Sequence, residues 1–408
     1  MHSSRRRTLG VTWAILLVAF LIVLAGCGDV YRPVAIPITA PGGDPQTTHF
    51  AVVASKGDLT AIPPDTGKAG VFDVSGDTNM GNRVTGVNPV AVAVDANLSF
   101  AWVVNQGTAG QDDSTVTRFS PAVSGASTST VNLETGAGAN AVYAVPLFAF
   151  VTEGALNKVA VISTAASAVK AFVPVGNNPV AVTATSNGAK AYVVNKNDST
   201  VTVVSSADST VLGAPIAVGA TPVDATIQTD SAYVYVASQG GNSLSVISTS
   251  TDSEVQRVTG LSGPTHVVWD DHLKRVYVVN GGGNTISVFN ASTPGSLTLL
   301  KTVNTSATPI GIAVLDNGVK FYVLYAGAPG KVDVFDAQSY NLRTTVTVQN
   351  NPVSIAAAPE SSKVYVVNST GDGGATFPNG SISIIKTSDD SVLNVAPPSA
   401  NPFYVTIQ

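Results

Sequence analysis

A strand-and-turn unit recurs roughly every 40 to 50 residues from about His49 to the end of the chain. One segment of the unit is a run of β-forming residues whose clearest copies are Tyr192–Asn195, Tyr277–Asn280 and Tyr365–Asn368, each reading Tyr-Val-Val-Asn. Five looser copies, at 50–54, 100–105, 148–152, 233–237 and 321–325, bring the total to eight. A second segment starts with proline and an apolar residue, and it also occurs eight times. Its first residues are Pro89, Ala141 (the copy without proline), Pro179, Pro222, Pro264, Pro309, Pro352 and Pro402.

A period of this length built only of short strands is typical of a β-propeller, in which each period forms one four-stranded blade. The chain is therefore predicted to be all-β with eight blades. Seven blades remain an alternative if the weakly matching region 86–150 holds one blade rather than two. Asn187-Gly188 and Asn317-Gly318 lie between the proline-led strand and the Tyr-Val-Val-Asn strand, where they predict type I′ hairpins.

These repeats resemble those of the YVTN β-propellers, which occur in cell-surface and surface-layer-like proteins of prokaryotes. The signature is present at Tyr192–Asn195, Tyr277–Asn280 and Tyr365–Asn368, with Val instead of Thr at its third position. The resemblance extends over nearly all of the chain after residue 48. It implies a propeller fold, for which seven blades are usual in the family, and a role at the cell surface.

The two ends of the repeat region are out of phase in a way that predicts how the ring closes. The first repeat begins at Phe50 with no proline-led strand before it, and the chain ends with a proline-led strand at 402–407 and nothing after it. We therefore expect residues 402–407 to form the inner strand of the blade that residues 49–86 begin. Such closure leaves no long sheet edge open to aggregation.

The first 48 residues read as a secretion signal and a tether. Arg5–Arg7 precede an apolar run from Val11 to Leu24, which is shorter than the roughly 20 residues of a membrane span. Leu24-Ala25-Gly26-Cys27 resembles the lipobox of bacterial lipoproteins, which implies cleavage after Gly26 and acylation of Cys27; an ordinary signal peptide with an incidental cysteine is the alternative. Residues 1–26 are then the signal, 27–48 a Pro/Gly-rich tether and 49–408 the propeller. The predicted location is the bacterial cell envelope, outside the cytoplasm.

Charge and composition exclude several classes of function. Without residues 1–26 the chain has 18 basic and 26 acidic residues, a balance of −8, which is unsuited to binding nucleic acid phosphates. Cys27 is the only cysteine, so a cysteine zinc site and an intramolecular disulfide are impossible. No phosphate-binding loop, dinucleotide fingerprint or nucleophile elbow occurs, and no cofactor is predicted. The acidic pairs at 112–113, 270–271 and 389–390 suit calcium or are exposed turns, and without an EF-hand pattern no metal site is predicted.

The position two residues after the proline varies between repeats, whereas the positions one and three residues after it are nearly always apolar. Its occupants are Ala91, Tyr143, Ala181, Asp224, His266, Gly311, Ser354 and Tyr404. This makes Tyr143, Asp224, His266, Ser354 and Tyr404 ligand-binding candidates. Asp224 and His266 lie in adjacent repeats, and a carboxylate beside an imidazole can tune a general base. A structural hydrogen-bonded pair, or no contact at all, is the alternative.

Asparagines at the ends of the second strands are expected on the same face of the ring as the beginnings of the inner strands. Asn105, Asn195, Asn280 and Asn368 occupy these positions, and the last three are ligand-binding candidates. The alternative is turn chemistry, because Asn tolerates the left-handed region. The long loop 369–380, with Asp372 and Phe377, is a further candidate, since long loops on rigid scaffolds often carry binding sites.

The sequence thus favours a lipid-anchored, extracytoplasmic propeller that binds a protein or a surface polymer. The membrane is a second predicted partner, through acylated Cys27. The alternative is a hydrolase related to lactonases, with Asp224, His266, Tyr143 and Tyr404 as its only candidates at the channel mouth.

Overall fold

The computed structural model describes residues 49–371, 374 and 376–408, and these residues form strands and turns without a helix. The strands in chain order are Phe50–Ser55 (β1), Thr66–Asp73 (β2), Thr78–Val87 (β3), Pro89–Val94 (β4), Ala101–Asn105 (β5), Thr115–Phe119 (β6), Ser129–Asn132 (β7), Ala139–Ala144 (β8), Phe148–Glu153 (β9), Lys158–Ser163 (β10), Ala168–Pro174 (β11), Pro179–Ala184 (β12), Lys190–Asn195 (β13), Thr200–Ser205 (β14), Thr210–Val211 (β15), Ile216–Ala217 (β16) and Pro222–Ile227 (β17). They continue as Tyr233–Ser238 (β18), Ser243–Ser248 (β19), Ser253–Thr259 (β20), Pro264–Asp270 (β21), Arg275–Asn280 (β22), Thr285–Thr293 (β23), Ser296–Asn304 (β24), Pro309–Val314 (β25), Lys320–Tyr325 (β26), Lys331–Asp336 (β27), Leu342–Thr347 (β28), Pro352–Ala357 (β29), Lys363–Asn368 (β30), Ser381–Lys386 (β31), Val392–Val395 (β32) and Pro402–Ile407 (β33).

The strands form eight antiparallel sheets, one per blade. Blade 1 has the order β33-β1-β2-β3, and blades 2 to 8 begin with β4, β8, β12, β17, β21, β25 and β29 as their inner strands. These inner strands contact one another in sequence, and β33 closes the circle between β29 and β4. The predicted eight-bladed propeller is therefore confirmed, because the region from β4 to β11 holds two complete blades rather than one.

The second strand of each blade is buried on both faces because it lies between two neighbouring sheets. The burial is complete in β5, β13, β22 and β30, apart from the first residue of the last three. This explains why these strands are continuous apolar runs instead of alternating ones. Apolar contact between adjacent blades thus builds the core all the way around the ring.

Ring closure follows the prediction. The terminal strand β33 pairs antiparallel with β1, so that Val53 is opposite Val405 and Ala51 is opposite Ile407. Beyond the strand end, Phe50 N donates to Gln408 O at 3.0 Å and Gln408 N donates to Phe50 O at 3.3 Å. The first blade is therefore completed by the last residues of the chain.

A Lys-x-Tyr pair on the second strand binds an aspartate of the next blade at three of the interfaces. Lys320 Nζ lies 2.8 Å from Asp390 Oδ2, and Tyr322 donates to Asp390 Oδ1 at 2.9 Å. Lys190 and Tyr192 bind Asp252 in the same way. Lys363 and Tyr365 bind Asp77 of blade 1, across the closure of the ring. We call these three groups the inter-blade latches.

Two local predictions were wrong in detail. The hairpins at Asn187-Gly188 and Asn317-Gly318 are not type I′, because only the glycines have positive φ, at 69° and 65°. A type I′ turn requires positive φ at both residues. In blade 4, the β-forming residues between Val211 and Val218 predict one outer strand. The strand is instead split into β15 and β16, because Gly213 has a φ of 67° and Pro215 cannot donate to the ladder.

The signal peptide 1–26, Cys27 and the tether 27–48 lie outside the described residues. Within the part of the chain that the structure describes, no helix has the length and hydrophobicity needed to cross a bilayer.

Candidate functional site

The ring has two faces, and each inner strand runs from one to the other. We call the face where inner strands begin and second strands end the start face, and the face with the hairpins between them the hairpin face. At the start face, the residue before the proline position has positive φ in seven blades. These residues are Asn88, Gly138, Asn178, Thr221, Gly263, Asn351 and Asn401. A register shift then follows the proline position in every inner strand.

This register shift places the residue at the variable position so that a polar side chain there can reach the next inner strand. Asp224 and Ser354 do so. Asp224 Oδ2 accepts a hydrogen bond from Val267 N of blade 6 at 3.0 Å, and its Oδ1 accepts one from Ala225 N at 2.9 Å. Ser354 Oγ accepts from Val405 N of blade 1 at 3.2 Å in the same arrangement. Asp224 and Ser354 therefore couple neighbouring blades at the rim of the channel.

The sequence analysis placed Ala141 at the proline position of blade 3, and this assignment was wrong by two residues. Ala139 is opposite Glu153, as Pro179 is opposite Asn195 in blade 4, so Ala139 occupies the proline position and Ala141 the variable one. Tyr143 corresponds instead to Thr183 of blade 4, which lies two residues after the variable position on the inner strand. Burial raises the pKa of the Tyr143 phenol. Without a proline to mark the position, the repeat offered no signal that would have fixed the register.

Asp224 of blade 5 interacts electrostatically with His266 of blade 6 and with Tyr404 of blade 1. Burial raises the pKa of Asp224, while nearby His266 and the N–H groups of Val267 and Ala225 oppose the rise. Burial also raises the pKa of Tyr404, and the charge of Asp224 adds to that rise. Tyr404 is 39% exposed and His266 is also exposed, so both side chains reach the solvent. His266 Nδ1 lies 3.2 Å from Thr265 Oγ1.

The asparagines at the ends of the second strands have a role that differs from both ligand binding and turn chemistry, the two roles considered from the sequence. Asn195 is fully buried and lacks positive φ, and its amide donates to Thr200 Oγ1 at 3.1 Å and to Thr202 Oγ1 at 2.8 Å on the third strand. Asn105, Asn280 and Asn368 are buried and hydrogen bonded in the same way. Gly176 covers Asn195 so closely that a Cβ on it would lie 2.7 Å from Asn195 Cγ. Turn chemistry was the wrong interpretation. The amide nitrogens are occupied, whereas the buried side-chain oxygens have no hydrogen-bond partner among the described residues. Because these side chains are buried, they do not belong to the proposed site.

The asparagines directly before proline have a left-handed backbone conformation. Asn88, Asn178, Asn351 and Asn401 have φ between 48° and 53°. Asn401 Nδ2 donates to Gly57 O at 2.8 Å and thereby ties the closing strand to blade 1. This position was missed, although an asparagine directly before each proline in four repeats was a visible signal.

Blade 3 has Glu153 where blades 2, 4, 6 and 8 have the buried asparagine, with Glu134 and Lys158 as its charged neighbours. Glu153 is fully buried, and burial raises its pKa from 4.5 to about 7; the charge of Glu134 adds to the rise and Lys158 opposes it. Lys158 is paired with Glu134 at 2.6 Å. The start face therefore contains a carboxyl group that titrates near neutral pH.

We expect Glu153 to make stability fall as the pH rises from about 4.5 to about 7. In this window the unfolded chain loses the Glu153 proton while the folded chain keeps it, so the penalty for ionising a buried group grows with pH. Its full size is at most about 3 kcal/mol. Urea unfolding at pH 4.5 and 7.5 measures it, and Glu153→Gln should flatten the slope while Glu254→Gln, at a surface pair with Arg257, should not. A wild-type slope identical to that of Glu153→Gln would contradict the assignment.

Loop 369–380 lines a cavity of about 590 Å³ at the start face. Asp58 and Asp65 of blade 1 form the opposite wall, with Asn401 at the edge. Asn350 Nδ2 donates to Gly371 O at 3.0 Å and Asn351 Nδ2 to Thr370 Oγ1 at 2.9 Å, which holds the beginning of the loop. Phe377 is half-buried, and Asp372 lies outside the described residues.

Among the described residues, no three His, Cys, Asp or Glu side chains are grouped closely enough to hold a metal ion. The acidic pairs have other partners. Asp112 accepts from Ser114 Oγ at 2.6 Å, Asp271 pairs with Lys274 at 2.9 Å, and Asp389 accepts from Ser391 Oγ at 2.7 Å.

A family model described as the Choice-of-anchor I domain matches residues 265–403, from blade 6 to the beginning of the closing strand. A search of curated proteins gives no significant match. Among solved structures, dihydro-heme d1 dehydrogenase NirN is 11% identical with a TM-score of 0.69, and the match covers 89% of this chain and 75% of that one. AztD from Citrobacter koseri is 11% identical with a TM-score of 0.64, covering 88% and 97%.

A Bacteroides fragilis protein described as a candidate 6-phosphogluconolactonase is 14% identical, with a TM-score of 0.58 and coverage of 90% of this chain and 99% of that one. At these identities the three structures show a shared propeller fold and nothing about ligands. The family match adds that the last three blades resemble a domain named for anchoring.

Proposed function

We propose that this protein is a lipid-anchored, extracytoplasmic β-propeller that binds a protein or a surface polymer at its start face. The observation that carries the proposal is the cavity of about 590 Å³ between loop 369–380 and blade 1, beside the polar rim of the channel. A cavity built from long loops on a rigid ring is a common form of binding site. The match to an anchor-type domain over residues 265–403 supports a place at the cell surface.

Rigidity supports binding at this face. The start face is held by hydrogen bonds from Asp224 and Ser354 to the next blades and by Asn401 at the ring closure. A pre-organised surface loses little conformational entropy on binding. The blades therefore fix the position of loop 369–380, whatever the sequence of the loop.

Shortening loop 369–380 to a two-residue turn should weaken partner binding at least tenfold. The measurement is retention of the full-length protein on purified cell-wall polymer and on immobilised envelope proteins, compared with wild type. Arg257→Gln, on the outer strand of blade 5, is the control and should bind normally. Unchanged retention after loop shortening would refute binding at this cavity.

The proposal of lipid anchoring is based on the lipobox-like sequence that ends at Cys27. Two or more acyl chains hold a protein firmly on a bilayer, whereas one does not. Cys27→Ser should therefore abolish palmitate incorporation and move the protein from the membrane fraction to the soluble one. Membrane retention of the serine variant would contradict lipid anchoring.

The second candidate function, a lactonase-like hydrolase, is supported by the electrostatic interactions of Asp224 with His266 and with Tyr404. His266 is exposed and could accept a proton from water, with Asp224 nearby to orient it. If catalysis occurs here, His266→Ala should abolish lactone hydrolysis and leave retention on the partner intact. Turnover that survives this substitution would eliminate the hydrolase.

A further inference from the structure

A second cavity, of about 530 Å³, opens at the hairpin face on the side of the ring formed by blades 1 to 5. It lies at the opposite end of the channel from loop 369–380 and extends up to Tyr404. Its volume is within the usual range for small-molecule sites, about 300 to 1,000 Å³. The start-face proposal makes no use of it.

None of the side chains that line this cavity is acidic, basic or a histidine. Its two phenols also stay neutral, because burial raises the pKa values of Tyr143 and Tyr404. An anionic ligand would lose its hydration there without gaining a partner of opposite charge, which is costly. The lining therefore selects against phosphorylated and carboxylated ligands.

One wall of the cavity is a row of polar groups on the closing strand. Tyr404, Thr406 and Gln408 alternate along the chain and all line the cavity, so their side chains share one side of the strand. Alternate residues of a strand lie about 7 Å apart, so the row extends over about 13 Å. Among the described residues, the Tyr404 phenol, the Thr406 hydroxyl and the Gln408 amide have no hydrogen-bond partner.

Aliphatic side chains from other blades line much of the rest of the cavity, together with the uncharged polar residues Asn97, Ser186, Gln228, Thr229 and Ser231. The aliphatic residues include Val142, Ile227 and Ala93, which are only partly buried. Aliphatic side chains beside hydroxyl, phenol and amide groups suit a molecule that has both C–H surfaces and hydroxyl groups. A purely apolar ligand would bury the row unpaired, which costs about 1 to 3 kcal/mol for each group.

We propose that the hairpin-face cavity is a second binding site and that it takes an uncharged, hydroxyl-rich ligand of the size of a mono- or disaccharide. Hydroxyls both donate and accept, as do the phenol, the hydroxyl and the amide of the row. Because the row belongs to the strand that closes the ring, the site exists only in the closed propeller. It is independent of the start-face cavity and its loop.

The test is calorimetric titration of the full-length protein in a zwitterionic detergent, since sugar-headed detergents would compete. The probes are maltose and diacetylchitobiose, with glucose 6-phosphate and N-acetyl-trialanine amide as charged and peptide counterparts. We expect saturable binding of at least one disaccharide and none of glucose 6-phosphate or the peptide. Failure of both disaccharides, or equal binding of the phosphate or the peptide, would overturn the proposal.

Substitutions locate the binding. Thr406→Val and Gln408→Leu each remove hydrogen-bonding capacity at a partly exposed position and should weaken disaccharide binding about five- to tenfold. Thr344→Val, at an exposed position of outer strand β28, is the matched control and should leave binding unchanged. Disaccharide binding that persists undiminished in both row variants would place it elsewhere and refute this site.

Discussion

Deletion of residues 402–408 is expected to unfold the propeller or leave it prone to aggregation. The deletion removes the inner strand of blade 1, including Val405 and Ile407, which are buried against β1 and blade 8. It also exposes the unpaired edge of β1 along the channel. Loss of buried aliphatic residues costs about 2 to 5 kcal/mol each, so two of them alone approach the total stability of a typical domain. Urea unfolding monitored by tryptophan fluorescence, together with size-exclusion chromatography, measures the effect.

A peptide corresponding to residues 401–408 should restore part of the lost stability when added in trans, because it can occupy the vacated position beside β1. A scrambled peptide of the same composition is the control. Truncated protein that unfolds at the wild-type urea concentration would show that the ring closes elsewhere.

Asp390→Asn should lower stability by about 3 to 5 kcal/mol, since it leaves the buried ammonium of Lys320 without its counter-charge. The side chain of Lys320 is only 8% exposed and that of Asp390 only 13%. Asparagine tolerates the positive φ of 57° at this position, so the backbone of the turn is preserved. The substitution therefore isolates the charge of the latch between blades 7 and 8. Urea unfolding at neutral pH measures the change.

The chain offers a graded set of controls. The Lys190–Asp252 latch is more exposed, at 28% and 24%, so Asp252→Asn should have a smaller effect. The Lys274–Asp271 surface pair is about half exposed, and Asp271→Asn should cost no more than about 1 kcal/mol. An equal loss for all three variants would show that burial does not determine the strength of these pairs.

The number of blades and the closure of the ring could be predicted because each blade repeats its own local pattern. The prolines mark the beginnings of inner strands, and the phase difference between Phe50 and Pro402 reveals the composite blade. The register of blade 3 could not be predicted, since Ala139 lacks the proline that marks the position elsewhere. The prediction of one continuous outer strand in blade 4 was wrong for a related reason, because Pro215 and Gly213 override the β-forming residues around them.

The candidate site was predictable only in part. The variable position identified Asp224, His266 and Tyr404, and Asp224 interacts electrostatically with each of the other two, because blade equivalence places them at one level of the ring. The role of Asn195 could not be predicted, since its Thr200 and Thr202 partners are recognisable only once the strand register is known. The latches and the hairpin-face cavity depend on contacts between different blades. A repeat pattern carries no signal for such contacts.

Hydrogen exchange of the amides in residues 402–407, followed by mass spectrometry, tests ring closure most directly, and both channel sites depend on that closure. We expect this segment to be protected to the same degree as β1 and β30, because its N–H groups belong to a central ladder. Exchange of the segment within seconds, while β30 stays protected, would contradict closure by the terminal strand.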